Sequence, residues 1–206
     1  MGAGDQPTDG HLVLLARNGN LEAFNSLVER YEGAVFGLCL RILGNRESAE
    51  DATQEAFISA YRAIERFEGG NIRSWLLRIG ANQARDELRR GKRRAPSFSL
   101  SKADDDPDAA PFELPDTTAG AERLLLDREF GHEIEALLAM LPAQQRQAVV
   151  LVDVYDFAYD EVATMTQATL GTVKSRVFRG RERLRELVVA RPELFGRLPR
   201  QKDRTP

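Results

Sequence analysis

Four side chains, Arg78, Asn82, Arg85 and Arg89, recur at intervals of four, three and four residues. That spacing lays them along one stripe of an α-helix. Arginines in such a stripe neutralise phosphates, and an asparagine among them can hydrogen-bond a base edge. Phe67 and the pair Gly69–Gly70 stand just before the stripe, where a loop with an aromatic ring could close around an extruded base. A second cationic run lies nearer the carboxyl terminus. From Thr172 to Arg185, six basic residues oppose the single carboxylate of Glu182. A helical wheel puts Val173, Val177, Gly180 and Leu184 on one side and Gly171, Ser175, Phe178 and Arg179 on the other, with Lys174 and Arg176 on the flanks. An arginine forks to guanine, a phenyl ring meets a thymine methyl and a serine adapts to either, so this face carries the chemistry of duplex readout. Arg176, Arg181 and Arg183 would neutralise phosphates beside it. A third face is acidic: Asp51, Gln54, Glu55, Ile58 and Glu65 fall together, opposite Ala56, Phe57, Ala60 and Ile64. An exposed isoleucine ringed by carboxylates and an amide suits a protein partner with basic residues.

Catalysis finds no support. There is no glycine-rich phosphate loop, no nucleophile beside a base and no metal-ligand cluster. His11 and His132 are isolated, and the run Asp104–Asp106 sits in a proline-rich stretch that cannot preorganise a metal site. Cys39 is the only cysteine, which excludes an intramolecular disulfide; its apolar neighbours Val35–Leu40 mark it as an inert buried thiol. The expectation is therefore a protein that is not an enzyme and holds no catalytic residue, metal or cofactor. No apolar run is long enough to cross a membrane and no signal peptide is legible at the start, so a cytoplasmic chain without membrane insertion is expected.

Behind these faces stand helices. Asp9 is placed to cap a short one ending at Gly19. Asn20 caps a longer one carrying Leu21, Phe24, Val28, Tyr31, Val35, Leu38 and Ile42, stopped by Gly44. A third runs from about Arg46 to Phe67, and Asn71 caps a fourth that reaches Arg90 before Gly91. The segment from Tyr159 has helix-turn-helix spacing: a short helix, a turn at Thr166–Ala168, and a basic helix starting at Thr169–Leu170 and reaching about Val189. Between the two parts, residues 95–121 hold four prolines and six carboxylates against Lys102 alone, a composition that cannot bury enough apolar surface to fold. The fold class is all-α: an N-terminal helical bundle (1–94), a flexible acidic linker (95–121), a C-terminal helix-turn-helix domain (122–190) and a polar tail (191–206).

The stretch Ser48–Phe67, then Trp75-Leu-Leu-Arg-Ile-Gly-Ala-Asn and Asp86-Glu-Leu-Arg-Arg, resembles the second region of the extracytoplasmic-function (ECF) sigma factors. Leu141-Pro-Ala-Gln-Gln-Arg, Glu161-Val-Ala and Gly171-Thr-Val-Lys-Ser-Arg-Val-Phe-Arg resemble their fourth region. The resemblance implies a minimal two-domain sigma factor that binds core RNA polymerase and directs it to promoter DNA. Asp51, Gln54, Glu55 and Ile58 would then dock on the β′ clamp coiled coil. Phe67, Asn71, Arg78, Asn82, Arg85 and Arg89 would meet the −10 element, and Thr172, Lys174, Ser175, Arg176, Phe178, Arg179 and Arg181 would read the −35 element. The second domain would rest on the β flap, and an anti-sigma factor is an implied partner. Two positions depart from the family pattern. Thr166-Gln167 stands where Leu-Gly is usual in the helix-turn-helix, so a distorted turn is expected, and Leu77 replaces an aromatic. A stand-alone helix-turn-helix regulator would account for the C-terminal half equally well, but not for the stripe around Asn82 or the acidic face before it.

Overall fold

The computed structural model describes residues 7–94, 131 and 133–191; the linker expected at 95–121, the start of the helix after it and all but Arg191 of the tail lie outside them. The described residues are helical, without a strand, in the all-α class expected. Helix α1 spans Asp9–Arg17, α2 Leu21–Leu43, α3 Arg46–Ala63 and α4 Ile72–Arg94, with a 3₁₀ turn at Ile64–Arg66. The second half comprises α5 (133–139), α6 (Ala143–Val149), a π-helical turn (Val150–Val154), α7 (Tyr159–Thr166) and α8 (Leu170–Val189).

Side-chain caps set most of the starts. Asn20, Asn45 and Asn71 accept from the backbone N–H three residues on, at 2.9, 2.8 and 3.1 Å, satisfying donors that a helix start leaves open. At α1 the cap is Thr8, which is extended and accepts from His11 N. Asp9, expected there, is already helical, and its carboxylate instead takes the Arg30 guanidinium and the Tyr31 hydroxyl of α2. Gly91 does not end α4, which continues to Arg94; one glycine costs a helix only about 1 kcal/mol against alanine, too little to stop it alone.

In the first half α2, α3 and α4 pack against one another, and α1 lies along α2. Their core holds Leu27, Val35, Leu38, Ile42, Ala60, Leu76 and Leu77. Leu77, which stands where an aromatic is usual, is thus a core residue. Cys39 is fully buried, and loss of solvent pushes its thiol up to about 12, the inert state expected. In the second half α6 crosses α8, and α7 leans on α8. At that crossing Gly180 is required: a Cβ there would stand 2.5 Å from Val149 Cγ2.

The sequence gives no reason for the two halves to touch, yet one apolar cluster joins them. Arg146 of α6 is only 8% exposed, and its Nε and Nη2 each donate over 2.8 Å to the carbonyls of Ile42 and Leu43, where α2 ends. Nη1 reaches the Ala139 carbonyl at 3.3 Å. Arg41 of α2 donates to the Tyr155 hydroxyl and pairs with Glu135, both at 3.3 Å.

Candidate nucleic-acid interface

Helix α8 starts where Thr169 Oγ1 accepts from Thr172 N at 3.1 Å. The turn before it closes on Gln167, which takes the left-handed conformation at φ 51°, ψ 45°. Ala168 N donates to Ala163 O at 3.0 Å, the six-to-one bond of a Schellman ending. The turn is therefore formed without the glycine, and the distortion expected of Thr166-Gln167 is confined to Gln167's backbone. Val173, Val177 and Gly180 are buried as the wheel indicated, and Leu187 joins them. Lys174, Ser175, Phe178 and Arg179 are exposed, Phe178 to 67%. A large bare ring among cations has no packing role, which makes this face a candidate for base contact.

A groove of about 880 Å³ opens between the starts of α6 and α8, lined among others by Gln144, Thr172, Ser175, Arg176 and Arg179. Across it Arg176 Nη2 donates to Gln144 Oε1 at 2.7 Å. The motif containing Gln144 was visible in the sequence, but this role was not, since the two residues are 32 positions apart. Arg181 points elsewhere. Its guanidinium forks onto Asp153 at 3.0 and 2.5 Å, a pairing that raises its pKa.

On α4 the stripe holds together along the helix but meets the other half of the molecule. Arg78 pairs with Glu161 of α7. Arg85 bonds Asp86 through Nε and Nη2 and donates from Nη1 to the Met165 carbonyl at 2.7 Å. Asn82 is half-buried and Arg89 exposed. Phe67 is buried, its ring 5.2 Å from that of Trp75, so it braces the loop rather than standing out from it. Gly69 and Gly70 both take positive φ, 104° and 93°. Between this loop and α1 lies a cavity of about 240 Å³, bounded by Leu14 and Arg17; sequence reasoning gave α1 no part in the site.

On α3, Asp51, Gln54, Glu55 and Ile58 are all exposed. Tyr61, one turn on from Ile58, is equally exposed at 43% and packs edge-on against Phe24 at 5.0 Å. Tyr61 enlarges the apolar part of this face, and the sequence stripe had omitted it. Among the described residues no cluster of His, Cys, Asp and Glu could hold a metal ion, and no helix is long and apolar enough to cross a membrane.

Two helical domains, each presenting a basic helix, match two family models: Sigma-70 region 2 over residues 27–94 and Sigma-70, region 4 over residues 131–184. The RNA polymerase sigma-H factor of Pseudomonas aeruginosa is 34% identical over 178 residues, covering 86% of this chain and 92% of that protein. The ECF RNA polymerase sigma-E factor of Escherichia coli K12 is 34% identical over 179 residues, covering 86% and 93%. Against the ECF RNA polymerase sigma factor SigE of Mycolicibacterium smegmatis, also 34% identical, the match covers 81% of this chain and 62% of the relative. Among solved structures, CnrH in complex with the cytosolic domain of CnrY superposes with a TM-score of 0.53 at 26% identity, covering 88% of this chain and 97% of that one. The sigma factor RpoE of Bartonella quintana, solved with the anti-sigma factor NepR, shares the fold, with a TM-score of 0.56 at 24% identity over 82% and 98%. The chain belongs to the extracytoplasmic-function RNA polymerase sigma factors.

Proposed function

We propose that this sigma factor binds core RNA polymerase, recognises the −35 and −10 promoter elements and promotes DNA opening, the polymerase supplying all the chemistry. The observation that carries the reading is the pairing of two basic helices, α4 and α8, one in each matched region, with Phe178 bare on the second. Asp51, Gln54, Glu55 and Ile58 dock on the β′ clamp coiled coil, and the second domain rests on the β flap. Arg78, Asn82, Arg85 and Arg89 meet the −10 element, while Phe67 and Asn71 shape the loop beside it. Thr172, Lys174, Ser175, Arg176, Phe178 and Arg179 read the −35 duplex; Arg181 joins them only by leaving Asp153. The functional units are 1–94 and 122–190, joined by 95–121 and followed by the tail 191–206. The protein acts in the cytoplasm, is not itself an enzyme, and has an anti-sigma factor as a partner, as the solved relative from Bartonella has. Fixing both domains on polymerase sums two weak contacts into avidity.

Run-off transcription with purified core polymerase on a promoter library, with and without the protein, tests this. Start sites that share two upstream elements and appear only with the protein are the expected result. Specific binding to duplex DNA by the protein alone, with no such starts, would favour an autonomous regulator instead.

A further inference from the structure

The groove between the starts of α6 and α8 is lined by groups that donate. Thr172 and Ser175 bring hydroxyls, Arg176 and Arg179 guanidinium groups and Gln144 an amide, and none of its described lining residues is acidic. Acid is unevenly placed along the chain. Helices α1, α2, α3 and α7 each carry a carboxylate in the first turn, whereas α4, α6 and α8 carry none. A carboxylate would favour any of these starts. Helix α6 thus shares an acid-free first turn with the two basic helices, although it lies outside the helix-turn-helix.

Gln144 is exposed on the α6 wall of this groove. Its Oε1 accepts from Arg176 Nη2 at 2.7 Å, and among the described residues this is the only hydrogen bond that either side chain makes. An amide whose oxygen is held by a guanidinium must present its nitrogen, a donor, to anything else. Gln144 Nε2 and the remaining N–H groups of Arg176 are therefore left for a ligand that accepts at several points and carries negative charge. Arg176 stands two residues before Phe178, about 160° around the helix, so it flanks the base-reading face instead of belonging to it. A duplex seated on that face runs a sugar–phosphate strand along its flank.

We propose that Gln144 and Arg176 jointly bind one backbone phosphate of the duplex that α8 reads, Gln144 anchoring the arginine through Oε1 and donating to the phosphate through Nε2. The proposal rests on α8 as the duplex-reading helix and adds α6 to the interface. It gives Gln144 two hydrogen bonds, of which a glutamate could make only the first. A carboxylate would hold Arg176 more firmly and suit the start of α6. It would nevertheless offer the phosphate no donor and would repel it. A mere brace for Arg176 and a phosphate ligand thus respond to Gln144→Glu with opposite signs.

The full chain, Gln144→Ala, Gln144→Glu and Arg176→Ala are titrated with a fluorescent duplex of random sequence, whose binding reads phosphate contacts, between about 50 and 200 mM salt. In the same titration the side-chain amide of Gln144 is followed by NMR in the isotope-labelled unsubstituted chain, a measurement that needs no variant to bind. Gln144→Ala should weaken binding about three- to tenfold, and Gln144→Glu should weaken it further. Arg176→Ala should lower the salt slope by about 1, and the Gln144 amide signals should shift as the duplex saturates. The proposal is overturned if Gln144→Glu binds as tightly as the unsubstituted chain, which would make Gln144 a brace alone. It is equally overturned if the amide signals stay in place at saturation, or if the unsubstituted chain does not bind the duplex at the lower salt. Run-off transcription separates the two readings. Missing promoter-specific starts beside a shifting Gln144 amide count against the sigma assignment alone, whereas normal starts with an unmoved amide remove only the α6 contact.

Discussion

Gln167 shows what a single backbone angle costs. It holds φ 51° with its side chain exposed, a conformation that crowds any residue with a Cβ by about 1 kcal/mol or more. Gln167→Gly should therefore stabilise the protein by about 0.5–1 kcal/mol, the relief being offset in part by the freer unfolded glycine; urea titration reads this directly. The departure from the family's Leu-Gly was visible in the sequence, but whether the turn would yield or the residue would bear the strain was not. The candidate contact residues were legible to different degrees. Phe178 and Arg179 stood out because an apolar ring opposite Val173 and Val177 has no place in a core. Arg181 did not reveal its partner, because Asp153 lies 28 residues away. If Arg179 forks to a guanine, Arg179→Ala should cost roughly 1–3 kcal/mol in discrimination at one base of the −35 element, measured by competition among single-base variants.

At the scale of the element, α8 was legible from end to end, since Thr169 is a strong cap and the repeat Val173, Val177, Gly180 fixes its buried side. Gly180 belongs to the crossing with α6 rather than to α8 alone. Gly180→Ala should lower stability by about 1–3 kcal/mol through overpacking, and adding Val149→Ala should recover part of the loss, a coupling that thermal melts of the four variants reveal. Helix α1 was legible, but its anchor was not. Burial alone would raise the Asp9 carboxyl, yet the hydrogen bonds from Tyr31 and Arg30 outweigh it and hold the group below its ordinary 3.8. A carboxyl lowered by folding stabilises fully above its unfolded value, and this stability is lost as pH falls through the folded one. Asp9→Asn should thus cost about 0.5–1 kcal/mol at neutral pH, and the gap between the two proteins should close progressively below about pH 4. The alternating three- and four-residue steps of α2 indicated its buried side correctly at Phe24, Val35, Leu38 and Ile42 but not at Leu21, which is 55% exposed.

For the molecule as a whole, the class and the order of helices could be read from local pattern, whereas the seating of one half on the other could not. Its bonds join residues 83, 80 and 104 positions apart, and no periodicity encodes such pairings. A shared apolar cluster with a buried arginine across it should make the halves unfold together. Calorimetry of the full chain should show one transition, and Arg146→Ala should separate it into two. The π-helical turn at Val150–Val154 bears on how such a chain can vary. There Tyr155 N reaches back five residues to Val150 O at 3.2 Å, so the chain carries one residue more than an α-helix would need to join Val149 to Tyr155. Deleting one residue within the turn would leave a regular, fully bonded helix, and by local criteria an improved one. Because the wide turn already absorbs the extra residue, the segment after it would keep nearly the same direction, with Tyr155 still on α2 and α7 still on α4. A one-residue length polymorphism at this point would therefore leave the seating of the two halves nearly unchanged, so the turn is a place where the chain can gain or lose a residue without disturbing the fold.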